Sequence, residues 1–166
     1  MTQDKKKEIF FFDKFIEKND AYVGLSAKSY DRLFSELNKS LDDRKQKIKM
    51  LDLGCGTGTF TKKMTLLNSE VYACDISPKS IEKASNLYPK INFSVQDIEK
   101  LTFENNFFDV VVFSGVLHHF DNLDTPLNEA KRILKPDGLI FSFDPRGSCP
   151  YGPSLYAKYL HPSNVI

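Results

Sequence analysis

Five short apolar runs separated by helical patterns govern what this chain can fold into. They are "KIKMLDL" (47–53), "EVYACD" (70–75), "INFSVQD" (91–97), "FFDVVVFSG" (107–115) and "GLIFSFD" (138–144). Strands that alternate with helices imply an α/β fold with a parallel sheet. In the third run, apolar Ile91, Phe93 and Val95 alternate with polar Asn92, Ser94 and Gln96, the pattern of a half-exposed edge strand. "VVVF" is continuously apolar, as expected of an inner strand. "LIFSF" also reads as inner, yet only 22 residues follow Asp144 and four of them are proline. No further strand is evident there to pair with it.

Helix signals fill the gaps. Residues 5–18 and 27–41 carry helical patterns, the second with Tyr30, Leu33, Phe34, Leu37 and Leu41 at three- and four-residue steps. They define an N-terminal helical flap over residues 1–45, ahead of an α/β core over 46–146 and a Pro-rich segment over 147–166. Ser77-Pro78 places a capping hydroxyl before a proline at the first helical position, and Ile81, Ala84, Leu87 and Tyr88 then share a face. Thr125-Pro126 repeats the arrangement before Leu127, Ala130, Ile133 and Leu134. "KPDG" at 135–138 reads as the turn that ends this helix.

The first run leads into "MLDLGCGTGTF", with glycines at 54, 56 and 58. A dinucleotide turn, G-x-G-x-x-G, would need its third glycine at position 59, which is Thr59. A P-loop would need G-x-x-x-x-G-K-[ST], which neither Gly54 nor Gly58 begins. What stands is D-x-G-x-G-x-G. Its glycines let the backbone approach a ligand closely, while Asp52 offers a carboxylate that suits an ammonium better than a pyrophosphate. The second strand ends in Asp75, where a carboxylate can accept both hydroxyls of a ribose, and the third ends in Asp97, which can accept from an adenine amino group. Three acids at three successive strand ends fall at the crevice where open α/β sheets bind ligands.

These segments resemble the class I S-adenosylmethionine-dependent methyltransferases, especially the small-molecule group that includes quinone-biosynthesis enzymes. The likeness runs from Ile48 to Asp144 through "LDLGCGTG", "VYACDIS", "FSVQDIEKLTF", "FDVVVFSGVLHHF" and "EAKRILKPDGLIFSFD". It implies a Rossmann-like methyltransferase fold with about five parallel strands in the order 3-2-1-4-5, flanked by helices and lacking the family's C-terminal strand pair. It also implies that Asp52 and the turn of Gly54, Cys55, Gly56 and Gly58 surround the methionine part of S-adenosylmethionine. Asp75 would hold the ribose, Ile76 would pack on adenine, and Asp97 with the Ile98 backbone would read the adenine edge. Ser114 and Gly115 would line the floor beneath the sulfonium. Tyr22 and Tyr30 would close the N-terminal helices over the cofactor, or merely pack.

Plainer roles compete at several positions. Asp52, Asp75 and Asp97 could be helix caps, loop ion pairs or turn residues, and Cys55 reads as a small side chain that fits the turn rather than a nucleophile. His118 and His119 follow "FSGVL" at the mouth of the crevice. Either could act as a general base or orient a substrate, and either could instead pack or bond backbone. Cys55, Cys74 and Cys149 lack metal-ligand spacing, so reduced thiols and no metal site are expected.

Lysine and arginine number 23 against 22 acids, a net charge of +1 that lacks the basic footprint of a nucleic-acid binder. The Asn/Asp-Pro-Pro-aromatic tetrad typical of base-amino methyltransferases is also missing after the fourth strand, which continues "SGVL". No apolar stretch approaches the ~20 residues of a membrane span, and no signal-peptide core follows the basic N-terminus, so a cytoplasmic protein is expected. The reading is therefore methyl transfer from S-adenosylmethionine to a small-molecule acceptor by in-line displacement. The alternative is a truncated, inactive cofactor-binding domain that assembles with a partner, or with a second copy, through an open fifth-strand edge.

Overall fold

The computed structural model describes residues 4–18, 27–41 and 46–143. Tyr22, Cys149 and the 147–166 segment lie outside them. Two helices, α1 (Lys5–Lys18) and α2 (Ala27–Ser40), precede a core of β1 (Ile48–Leu53), α3 (Thr59–Met64), β2 (Ser69–Asp75), α4 (Pro78–Leu87), β3 (Asn92–Val95), β4 (Phe108–Ser114), α5 (Asp124–Ile133) and β5 (Leu134–Phe143). The strands form one parallel sheet in the order β3-β2-β1-β4-β5. The third strand is an edge, as its alternating pattern suggests. At the other side, β5 is the outermost strand among the described residues.

Period-two alternation buries both faces of the sheet. Leu51, Leu53, Val111, Phe113 and Ile140 point to one face, where Ala130 and Ile133 of α5 cover them. Met50, Val110, Val112 and Phe141 point to the other, against Leu33 and Leu37 of α2 and Phe60 and Met64 of α3. The N-terminal helices thus complete the core as well as flanking the site.

Local signals held unevenly. Ser77 caps α4 by accepting from Ser80 N at 3.0 Å, with Pro78 at the first helical position. Leu87, placed by its spacing on the buried face, is exposed. The cap read at Thr125 does not form: α5 begins at Asp124, its N-cap Leu123 makes no side-chain cap hydrogen bond, and the Asp124 amide donates to Asn122 Oδ1 at 2.7 Å just ahead of the helix. The "KPDG" turn is likewise a bulge inside β5. Leu134 already pairs with Phe108, and regular pairing resumes at Val110 with Leu139, so residues 135–138 loop out opposite Asp109. Lys135 Nζ pins that bulge to Asp109 Oδ1 at 2.9 Å. Helix α3 carries no side-chain cap to announce it, since its N-cap is Gly58 in the left-handed region.

Candidate functional site

A cavity opens at the C-terminal ends of β1, β2 and β4, where β1 pairs with β2 on one side and β4 on the other. This is the switch point of the sheet, where open α/β folds place ligands. The glycine turn leaves β1 there and is held from below, with the amides of Gly54 and Cys55 both donating to Cys74 O, at 2.9 and 3.0 Å. Gly54 has φ +72, and a Cβ there would come 2.4 Å from Val116 Cγ2. Only glycine permits that packing of the first turn residue against the loop after β4.

Asp52 is fully buried at the end of β1. Its Oδ2 accepts from Thr61 Oγ1 at 2.6 Å, whereas Oδ1 has no hydrogen-bond partner among the described residues. Burial raises its pKa to about 7, against the Thr61 hydrogen bond and with the help of the Asp75 charge. A buried carboxylate oxygen without a donor is a site for a cationic or strongly donating ligand group.

Asp75 accepts from Gly56 N at 2.8 Å with Oδ2 and from Ser77 N at 2.9 Å with Oδ1. Each oxygen keeps a second lone pair for a further donor. Desolvation raises this carboxyl's pKa despite those two amides. Asp97 takes Lys5 Nζ on Oδ2 at 2.5 Å and the Glu99 amide on Oδ1 at 3.0 Å, so it meets the flap as well as its own turn.

The structure brings Asp52, Gly54, Cys55, Gly56, Asp75 and Ile76 to one wall of the cavity. Asp97, Ile98, Ser114, Gly115, His118 and His119 complete it, with Tyr30 from α2. Ser114 Oγ is buried and lacks a hydrogen-bond partner among the described residues. Tyr30 is buried and stacks on Phe60 at 5.8 Å, so it packs and borders the cavity at once. Gly58 is not among the lining residues: it is the N-cap of α3, and an added Cβ there would meet Phe93 Cζ at 3.0 Å. Its role is close packing of α3 against β3 and α4. Desolvation pushes the Cys55 thiol well above its ordinary pKa, which disfavours the thiolate a nucleophile needs.

Among the lining residues that the sequence reading did not single out are Lys5, Glu8 and Phe12 of α1. Their steps of three and four residues put them on one helix face, the signal that could have found them. That face is fastened at three points. Lys5 binds Asp97 and Glu99, Glu8 Oε1 lies 3.0 Å from His119 Nδ1, and Asp13 Oδ1 accepts from Ser77 Oγ at 2.6 Å. Helix α1 therefore spans the ends of β2, β3 and β4.

A sequence profile described as "Methyltransferase domain" matches residues 51–142, more than half of the chain. The chain belongs to the class I S-adenosylmethionine-dependent methyltransferases. Similar proteins include the demethylmenaquinone methyltransferase of Streptomyces avermitilis, 30% identical over 90% of this chain and 65% of that protein. The malonyl-[acyl-carrier protein] O-methyltransferase of Acetivibrio thermocellus is 30% identical over 82% of this chain and 48% of that protein. This chain thus spans about half to two thirds of their lengths. Among solved structures, PH0226 from Pyrococcus horikoshii superposes with a TM-score of 0.62 at 31% identity, covering 73% of this chain and 60% of that one. Among the described residues, no helix is long and apolar enough to cross a membrane.

Proposed function

We propose that this chain binds S-adenosylmethionine and transfers its methyl group to a small-molecule acceptor. The observation that carries the reading is the Asp52 carboxylate, buried beside the glycine turn with one oxygen lacking a hydrogen-bond donor among the described residues. The set of acceptors suits the cofactor. Asp52 would take the ammonium of the methionine part, Asp75 the ribose hydroxyls, and Asp97 the adenine amino group, with Ile76 and Ile98 against the ring. Ser114 and Gly115 would lie under the sulfonium, and Gly54 and Gly56 let the backbone come close.

The bound cofactor supplies an activated methyl group on a positively charged sulfur. What remains for the protein is alignment, for which effective molarity is worth up to roughly 7–11 kcal/mol. A base is needed only where the acceptor must lose a proton. The cavity encloses about 250 Å³, close to the roughly 300–1,000 Å³ of small-ligand sites. The net charge of +1 suits a small-molecule acceptor better than a nucleic acid. The names of the relatives are those of enzymes, which favours turnover over an inactive binding domain.

Incubation with methyl-labelled S-adenosylmethionine and a panel of phenols, quinols, carboxylic acids and amines tests this reading. It predicts label in one acceptor class with matching release of S-adenosylhomocysteine. Cofactor that stays intact with every class would contradict it.

A further inference from the structure

Helix α1 carries a carboxylate into the cavity and sets it on a histidine. Glu8 Oε1 lies 3.0 Å from His119 Nδ1, and the two side chains are 16% and 26% exposed. An ionised carboxylate only accepts, so the hydrogen of this bond belongs to Nδ1 and the neutral imidazole keeps its lone pair on Nε2. Phe12, one turn further along α1, meets the same ring edge-on at 5.5 Å, and the His118 ring lies 4.0 Å away. The ring is held by packing as well as by its hydrogen bond.

Glu8 is itself fixed by what flanks it. The Lys5 ties to Asp97 and Glu99 lie one turn before it, and the Asp13 tie to Ser77 lies just beyond the next turn. A carboxylate on a helix fastened at both ends can impose a tautomer, as a loop carboxylate free to swing could not. The charged and titratable groups that line the cavity with His119 are Glu8 and Lys5 of α1, Tyr30 of α2, Asp52 and Cys55 at β1, Asp75 at β2, Asp97 after β3, and its neighbour His118. Four of these are carboxylates and one is a lysine. A hydroxyl acceptor has a proton to give to the Nε2 lone pair, whereas an ionised carboxylate acceptor has none.

We infer that Glu8 is a positioning residue for His119, and that the pair activates a hydroxyl acceptor; this rests on the methyltransferase reading above. The hydroxyl oxygen's lone pair forms the new O–C bond while the breaking C–S bond leaves its electron pair on sulfur. The hydroxyl proton passes to His119 Nε2. The resulting imidazolium is balanced by Glu8, which orients the ring without touching the acceptor. Acceptors with no proton to lose would gain nothing from the pair.

The full chain with 15N-labelled histidine decides this by NMR in alkaline buffer, where the two ring-nitrogen resonances identify the neutral form and its tautomer directly. His119 is assigned by its loss in His119→Gln. Wild type should carry the proton on Nδ1. Glu8→Gln, whose side-chain carbonyl still accepts, should keep that tautomer, and Glu8→Leu should shift it toward the Nε2–H form that free histidine favours. Adding phenol as the hydroxyl probe to the S-adenosylhomocysteine complex should move the Nε2 resonance in wild type but not in Glu8→Leu. A wild-type His119 protonated on Nε2, or an Nε2 resonance indifferent to phenol, would overturn the proposal. Should Glu8→Leu fail to fold, wild type and Glu8→Gln suffice. Calorimetry on the same samples separates the two claims: no S-adenosylhomocysteine binding removes the methyltransferase reading and this one with it, while binding with the wrong tautomer removes this one alone.

Discussion

The carboxylate of Asp75 accepts the amide of Gly56 at 2.8 Å, joining the end of β2 to the middle of the glycine turn. One side chain thereby holds the turn in shape while keeping lone pairs for a ligand. Asp75→Ala should weaken S-adenosylhomocysteine binding by about tenfold or more, the worth of one charge-assisted hydrogen bond. Calorimetric titration of both forms checks this, and unchanged affinity would remove Asp75 from the ribose.

Asp52 makes a prediction in pH. Its pKa is about 7 in the fold against 3.8 for an unperturbed aspartate, so between those values the folded state holds more protons than the unfolded one. Stability of the ligand-free chain should therefore fall as pH rises from about 4 to about 7, by on the order of 4 kcal/mol from this group alone. A ligand ammonium favours the ionised form, so affinity for S-adenosylhomocysteine should rise as pH climbs toward 7, with a proton released on binding. Melting curves and titrations in buffers of different ionisation enthalpy measure both. Asp52→Asn should flatten both dependences, and a pH profile unchanged by that substitution would count against the assignment.

Gly54 and Gly115 share a left-handed backbone but not a crowded one. A Cβ on Gly54 would lie 2.4 Å from Val116 Cγ2, while one on Gly115 would meet nothing within 4 Å. Gly54→Ala should cost on the order of 2–4 kcal/mol, from overpacking added to backbone strain, and Gly115→Ala about 1–2 kcal/mol from strain alone. Adding Val116→Ala should recover part of the Gly54→Ala loss. Equal melting temperatures for the two alanine variants would show that the contact with Val116 is not tight.

Arg132 fastens the segment between β3 and β4 to α5. It donates to Leu101 O, Phe103 O and Asn105 Oδ1 at 2.8 to 2.9 Å and pairs with Glu129, whose Oε2 accepts the Leu101 amide. Arg132→Ala should destabilise the fold by about 2 kcal/mol. Arg132→Lys, which keeps the charge but loses the planar fork, should recover less than half of that. Full recovery in lysine would mean that charge alone holds the segment.

What could be read in advance follows from how local each signal is. The five strands and the order of elements rest on apolar runs and breakers inside single segments, and the three acids sit beside the strand ends that position them. The bulge at 135–138 was legible only as a turn, because its strand character depends on pairing with Phe108 and Val110. Gly58 looked like its two neighbours in the turn and differs only because Phe93 and Tyr88 pack against it. Lys5 and Glu8 were hidden in a charged helix whose partners, Asp97 and His119, stand far along the chain. No spacing rule reaches across such a distance.

The central claim is that the turn after β1 with its buried carboxylate receives S-adenosylmethionine and not a dinucleotide. Calorimetric titration of the full chain with S-adenosylhomocysteine, with NADH as the control, tests it most directly. The account predicts micromolar binding of the first, abolished or strongly weakened in Asp52→Ala, and no measurable heat from NADH. Binding of NADH with comparable affinity, or no binding of S-adenosylhomocysteine, would contradict it.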